Sequence, residues 1–184
     1  MESRQRVDRL LVVLLALSLI VNVGVVWWFV KGRVDPATPK GPDVAVGSTL
    51  APISGVTKDG QPLTVSYAED AKPVVLYVFS PACVWCERNL ESIATLSRLA
   101  GAKFRFVGVS LPSAATERQS PFEFPVVFAV GRLPFRATPQ TVVVGRDGRV
   151  LQSWMGAYVG KTKEEMEKYF GTSLPGLEAR ANGG

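Results

Sequence analysis

Apolar residues are distributed along this chain in two different patterns. The first is a continuous stretch over residues 10–30, which contains no charged residue and in which 18 of 21 residues are apolar. As an α-helix it would be about 32 Å long, close to the roughly 30 Å hydrocarbon core of a bilayer. Trp27 and Trp28 lie near its end, where aromatic side chains favour the membrane interface. The pattern predicts a transmembrane anchor over 10–30, preceded by a short tail over 1–9.

A cleaved signal peptide is the alternative interpretation of this stretch. The apolar region of a signal peptide usually has about 7–15 residues and is followed by small residues at the cleavage site. Bulky side chains occupy residues 25–30 instead, which favours a retained anchor. Three basic residues precede the stretch and three follow it closely, so charge alone does not decide its orientation.

The second pattern begins after a spacer. Residues 31–45 contain three prolines and two glycines without apolar periodicity, as expected of a semi-rigid stalk. From residue 46 to residue 172, short apolar runs alternate with helical patterns, which predicts one compact domain. Residues 173–184 are predicted to form a flexible tail.

The elements of this domain follow from its local patterns. Uninterrupted β-rich runs predict strands over 74–79, 104–109, 140–144 and 150–154, the last two joined by a hairpin turn. A helical pattern begins near Cys83 and ends at Gly101, with Leu90, Ile93, Ala94 and Leu96 facing inward. A capping box formed by Thr162 and Glu165 predicts a last helix that ends at Gly171. This order predicts an α/β fold, a mixed sheet flanked by helices.

Composition restricts the chemistry that the domain can perform. The chain has 184 residues, two cysteines and no histidine. Histidine-dependent nucleophilic systems, histidine metal sites and c-type haem attachment are therefore excluded. Two cysteines are too few for a four-thiolate zinc or iron–sulfur site within one chain. The net charge of +5 comes from scattered basic residues, so no nucleic-acid partner is predicted. The chemistry left to the chain implies no metal or organic cofactor.

The two cysteines, Cys83 and Cys86, lie where the first buried strand leads into a helix. Residues three apart at a helix start face each other, so the two sulfurs can bond or separate with little backbone movement. Free N–H groups at a helix start stabilise a thiolate and lower the pKa of the first cysteine. The spacing predicts a redox pair in which Cys83 attacks a partner and Cys86 resolves the mixed disulfide.

Two structural interpretations of this pair are kept as alternatives. The pair could be an inert disulfide, although a bridge that encloses two residues constrains the unfolded chain little. It could also be half of a zinc site, for which the chain offers only carboxylates as further ligands. In the inert case the protein would be a membrane-anchored binding module without catalytic activity.

A second motif, Thr138-Pro139, precedes a predicted strand, and with it the chain resembles the thioredoxin superfamily. It is most similar to the membrane-anchored bacterial TlpA-type thiol–disulfide oxidoreductases and their redoxin relatives. The resemblance extends from about residue 46 to residue 170. It rests on the order of the cysteine pair, the Thr-Pro motif and the turns at 58–62 and 145–149.

This resemblance implies a thioredoxin-like fold and disulfide exchange with partner proteins or small thiols. In that family a cis-proline packs against the cysteine pair and the residue before it binds the incoming chain, which are the roles implied for Pro139 and Thr138. Val84 and Trp85, between the cysteines, are expected to contact the partner. The resemblance further implies a single-pass protein of the bacterial cytoplasmic membrane, with its redox domain on the periplasmic side and a membrane-embedded electron donor as a candidate partner.

The chain departs from the family at three positions. Ala82 replaces the tryptophan usual before the first cysteine, Tyr77 aligns with the buried acid of thioredoxin, and Asn89 replaces a glutamate of the cytochrome-maturation members. The redoxin resemblance also leaves a peroxiredoxin-like thiol peroxidase as an alternative function. Ser80 fits the hydroxyl position of the peroxidase motif, whereas Leu76 occupies its proline position.

Overall fold

The computed structural model describes residues 15, 18, 19, 21–24, 44–111, 120–131, 133–135 and 137–177. The chain divides into two units, residues 1–40 and 41–184. The predicted anchor lies mostly outside the described residues; those of its residues that are described are helical. No described helix is both long enough and apolar enough to span a bilayer. The predicted stalk lies almost entirely outside the described residues, as does the end of the chain, 178–184.

The second unit contains a seven-stranded sheet and three helices in its described part. In chain order the elements are β1 (Ile53–Val56), β2 (Pro62–Val65), β3 (Val74–Phe79), α1 (Val84–Arg88), α2 (Leu90–Ala100), β4 (Arg105–Ser110), β5 (Val126–Ala129), β6 (Gln140–Val144), β7 (Val150–Met155) and α3 (Gly160–Phe170). The strand order is β2-β1-β5-β4-β3-β6-β7. β3 runs parallel to β4 and antiparallel to β6, so the predicted mixed sheet is confirmed.

β3 lies inside the sheet because all six of its side chains are apolar and buried. Successive side chains point to opposite faces of a strand, and β3 therefore contributes to two hydrophobic clusters. We call the first cluster the aliphatic face; it includes Val74, Leu76, Val78, Val107, Val142 and Val144. We call the second the helix face; it includes Val75, Tyr77, Phe79, Cys86, Ile93, Leu96, Tyr158, Met166 and Phe170.

The predicted strands are found within one residue at each end, whereas β1, β2 and β5 were not predicted. Each of these three strands has only four residues, and β1 and β2 mix exposed with buried positions. Such short runs carry little periodicity. β2 forms one edge of the sheet and starts at Pro62, and the other edge strand, β7, has a bulge opposite Val143 and Val144.

The helix predicted after Cys83 is interrupted at Asn89. The Asn89 N–H donates to the Cys86 carbonyl, three residues back, which tightens the turn and separates α1 from α2. After this break, the side of α2 that is buried contains Ser92, Ile93, Leu96 and Ala100. The prediction that Ala94 faces inward is wrong, since Ala94 is exposed and Leu90 is only half-buried.

The last helix begins three residues earlier than the predicted capping box implies. α3 starts at Gly160 after Val159, whose extended backbone forms the N-cap without a side-chain hydrogen bond, so the capping box is wrong. Its predicted end is confirmed: Gly171 has a left-handed conformation and donates its N–H to the Glu167 carbonyl at 2.9 Å. Beyond it, Leu174 is buried, and the Ser92 hydroxyl bonds to both backbone groups of Gly176.

Candidate active site

The chain leaves the buried strand β3 and reaches the cysteine pair through a tight turn. The Cys83 N–H donates to the Ser80 carbonyl at 3.0 Å, and Cys83 then adopts an extended conformation as the N-cap of α1. Cys83 and Cys86 are joined by a disulfide, with their Cα atoms 5.2 Å apart. The disulfide therefore lies at the end of β3, and it joins the N-cap of α1 to a residue in the first turn of that helix.

The two sulfurs have different surroundings. Cys86 is buried, with only 4% of its surface exposed, whereas Cys83 is half-buried. The Cys86 N–H donates to the Cys83 sulfur at 3.1 Å. Such a bond stabilises a negative charge on Cys83 after reduction. Because α1 has only five residues, this direct bond is a stronger local contribution than a helix dipole.

The residues between the cysteines form an exposed apolar surface. Val84 is 45% exposed and Trp85 is 50% exposed. The guanidinium carbon of Arg88 lies 5.1 Å from the centre of the Trp85 ring, within the range of a cation–π contact. A partner that reaches the Cys83 sulfur would meet this surface beside it.

Thr138 and Pro139 lie at the same end of the sheet as the disulfide. The antiparallel register pairs Gln140 of β6 with Val78 of β3. Pro139, one residue before Gln140, therefore lies beside the end of β3. The Thr138–Pro139 peptide bond is cis. Pro139 is buried and Thr138 is half-buried, and the Pro139 carbonyl accepts from the Gly156 N–H at 2.8 Å. Arg136, which begins the motif in the sequence, lies outside the described residues.

A layer of buried polar groups lies beneath the cysteine pair. The Tyr77 hydroxyl donates to the Cys86 carbonyl at 3.3 Å, and the Tyr77 ring packs edge-on against Tyr158. The hydroxyls of Tyr158 and Thr141 share a hydrogen bond of 2.6 Å. Burial raises the pKa of Tyr77 and of Tyr158 far above the usual range, so both hydroxyls stay neutral. Sequence reasoning missed Tyr158 and Thr141, because neither belongs to a motif near the cysteines.

Asn89 connects this layer to α1. It is fully buried, and its Oδ1 accepts from the Tyr158 N–H at 3.1 Å. This side chain holds the segment before α3 against the end of α1. The sequence identified Asn89 and Tyr77 only as departures from a family pattern, whereas the structure brings both to Cys86. Among the described residues, no group of three or more metal-ligating side chains occurs.

Comparisons with known proteins identify the fold. No family model matches the chain, and no curated protein sequence matches it. Similar solved structures include a protein of Chlorobium tepidum, proposed to be the thiol:disulfide interchange protein DsbE, with 19% identity and a TM-score of 0.53 over 69% of this chain and 95% of that one.

Two further structures resemble the chain to the same degree. One is the thioredoxin domain of a thiol-disulfide oxidoreductase from Bacteroides vulgatus, with 15% identity and a TM-score of 0.51, over 69% of this chain and 99% of that domain. The other is a thiol:disulfide interchange protein from Bacteroides sp., with 16% identity and a TM-score of 0.52, over 70% and 92%. The chain therefore has a thioredoxin-like fold, as its resemblance to that superfamily implied.

Proposed function

We propose that this protein is a membrane-tethered thiol–disulfide oxidoreductase that exchanges disulfides with partner proteins or small thiols. The observation that carries this proposal is the disulfide between a half-buried N-cap cysteine, Cys83, and a buried cysteine one turn later, Cys86. The outer sulfur can meet a partner, and the inner sulfur can reach only its neighbour. That division suits an attacking and a resolving thiol.

The reaction proceeds through one mixed disulfide. In the reduced protein the Cys83 thiolate attacks a partner disulfide, forms a Cys83–partner bond and releases one partner sulfur as a thiolate, which takes a proton from solvent. Cys86 then loses its proton and attacks the Cys83 sulfur. The Cys83–Cys86 disulfide forms, the second partner sulfur leaves, and the partner has gained two electrons. The reverse sequence oxidises a partner dithiol.

The surroundings of Cys83 supply the contacts that such a partner needs. The backbone of Thr138, before the cis-proline, lies at the same end of the sheet and would pair with the partner chain next to its cysteine. Val84 and Trp85 would pack against apolar side chains of the partner. Contacts of this kind orient the partner sulfur towards Cys83 and make the exchange effectively intramolecular.

The proposed membrane tether is supported by the sequence patterns of residues 10–30 and 31–45. An anchor and a proline-rich stalk would confine the domain to a layer near the bilayer and raise its effective concentration towards membrane-bound partners. We further propose that the domain lies on the periplasmic side of the bacterial cytoplasmic membrane, a proposal supported by its resemblance to membrane-anchored oxidoreductases. Its partners there would be thiol- or disulfide-bearing proteins, and a membrane-embedded electron donor would maintain its redox state.

A trapping experiment tests this function. In Cys86→Ala the resolving thiol is absent, so a partner attacked by Cys83 stays covalently bound and migrates with the protein until a reductant is added. We expect discrete, reductant-sensitive adducts in the membrane fraction. The matched control is Cys83→Ala, which retains one buried thiol and should trap far less.

Three results would contradict the proposal. One is the absence of adducts from a folded Cys86→Ala protein. Another is an iodoacetamide labelling midpoint for Cys83 in the reduced protein above about pH 8, as for an ordinary thiol, which would favour a structural disulfide. The third is fast thiol-dependent consumption of hydrogen peroxide, which would favour the peroxidase alternative.

A further inference from the structure

The buried side chain of Asn89 has one polar group without a partner. Its Oδ1 accepts from the Tyr158 N–H, but its Nδ2 has no hydrogen-bond partner among the described residues. An unpaired buried donor costs free energy, and such groups in native proteins usually have a reason. Since the disulfide is formed in this structure, the unpaired donor is a property of the oxidised state.

The amide side chain of Asn89 lies next to Tyr77, whose hydroxyl contacts the Cys86 backbone. The Asn89 N–H and the Tyr77 hydroxyl both donate to the Cys86 carbonyl, at 3.2 and 3.3 Å. Burial raises the pKa of Tyr77, and the adjacent Asn89 side chain opposes that rise to a smaller extent. Asn89, Tyr77 and the Cys86 backbone therefore share one buried site.

The two buried phenols in the cluster that contains Cys86 are neutral. β3 contributes Tyr77, the segment before α3 contributes Tyr158, and both phenols remain protonated. On α1 itself Glu87 is exposed and Arg88 lies over the Trp85 ring. A disulfide sulfur is a weak hydrogen-bond acceptor, whereas a thiolate is a strong one that gains most from a donor in a buried site.

We propose that Asn89 is a positioning residue whose Nδ2 donates to the Cys86 sulfur once the disulfide opens, and so favours the reduced state. A donor that is unpaired in one redox state and paired in the other shifts the equilibrium towards the second. Asn89 would thereby both hold the end of α1 and make the protein a stronger oxidant of its partners. This inference rests on the proposed function, whose reaction it tunes.

The equilibrium that Asn89 would shift can be measured with glutathione. Two glutathione thiols reduce the Cys83–Cys86 disulfide, two electrons pass to the protein, and one glutathione disulfide forms. The two glutathione protons go to the protein sulfurs, and a sulfur that stays ionised releases its proton to solvent. The equilibrium constant follows from the alkylated fraction of full-length protein at different ratios of reduced to oxidised glutathione.

Asn89→Asp keeps the oxygen that accepts from Tyr158 and replaces the donor with a second oxygen that can carry a charge. We expect the equilibrium constant for reduction to fall, by about tenfold or more at a pH high enough to ionise Cys86, since a hydrogen bond to a charged group is then lost. We also expect the pKa of Cys86, measured in a Cys83→Ser background by thiolate absorbance, to rise. Asn89→Ala is the decisive variant, because it removes the donor without adding a charge, and it should change both quantities in the same direction.

Gln140→Glu is the matched control. Gln140 is also a fully buried amide, but β6 alternation places it on the aliphatic face with Val142 and Val144. The control should leave the equilibrium nearly unchanged. The inference is overturned if folded Asn89 variants keep the wild-type constant and Cys86 pKa, or if Gln140→Glu shifts them equally. A wild-type protein that does not equilibrate with glutathione would instead contradict the proposed function.

Discussion

The two faces of the central sheet share one strand but differ in chemistry. On the aliphatic face, Val74, Leu76 and Val78 pack mainly against other branched aliphatic side chains. On the helix face, Tyr77 packs among aromatic rings and next to the buried polar residues Asn89 and Thr141. The comparison indicates a division of labour, in which one face supplies stability and the other supports the disulfide. Substitutions on each face can test that division.

The largest expected effect belongs to the aliphatic face. Leu76 is fully buried in β3, and Leu76→Ala should lower the free energy of unfolding by about 2–5 kcal/mol, because it removes packed methyl groups and leaves a cavity. Denaturant titration of the oxidised protein measures this loss. The glutathione equilibrium of the folded variant should stay at the wild-type value. A large change in that equilibrium would contradict the hypothesis that the aliphatic face supplies stability without affecting the disulfide.

A smaller effect is expected from Tyr77→Phe on the helix face. The variant keeps the ring and its aromatic contacts but loses the hydroxyl that donates to the Cys86 carbonyl. The free energy of unfolding should fall by about 1 kcal/mol, typical of one hydrogen bond. Because this bond joins backbone rather than sulfur, the oxidised and reduced proteins should lose similar stability, as denaturant titrations of both forms would show. A loss confined to one redox form would assign the hydroxyl a role in the chemistry.

The smallest effect concerns stability in acid. It comes from α3, which packs on the helix face. The backbone N–H of Leu174, at 2.7 Å, and then Lys163 lower the pKa of Glu167. A carboxyl whose pKa is lowered by folding stabilises the protein when ionised. Its contribution is therefore complete above the usual glutamate pKa of about 4.3 and is lost as the pH falls through the folded value.

Glu167→Gln should accordingly be less stable than the wild type near neutral pH. Its stability should also decrease less than that of the wild type as the pH falls below about 4.3. Urea midpoints measured against pH for the wild type and the variant would show this difference. Parallel pH profiles for the two proteins would mean that Glu167 does not contribute to acid sensitivity.

Sequence patterns predicted the parts of the fold in which one local signal dominates. β3 is apolar throughout, and the hairpin between β6 and β7 has a glycine-rich turn, so both were located closely. The interruption at Asn89 was not predicted, because the apolar pattern does not show a break that is made by a backbone bond to Cys86, with the Asn89 side chain occupied by Tyr158, 69 residues away. The short strand β1 depends likewise on pairing with the distant β5, which in turn pairs with β4, whereas β2 is a short edge strand that pairs with its neighbour β1.

The candidate site divides in the same way. Spacing and position identified Cys83 and Cys86, and resemblance added Thr138 and Pro139, whose peptide bond is cis. Tyr158 and Thr141 were not identified from the sequence, because a buried pair of hydroxyl groups has no sequence signature. Asn89 and Tyr77 were noticed only as departures from a family, and their shared contact with Cys86 required three-dimensional coordinates.

The edges of the sheet have a consequence for proteins held side by side. An open edge strand presents unpaired backbone groups that can recruit a strand from a neighbouring molecule. β2 has only four residues and begins with Pro62, which has no N–H to offer, while the bulge between β6 and β7 distorts the opposite edge. Both edges are thus poor templates for intermolecular pairing, which disfavours edge-to-edge association between neighbouring copies of this domain.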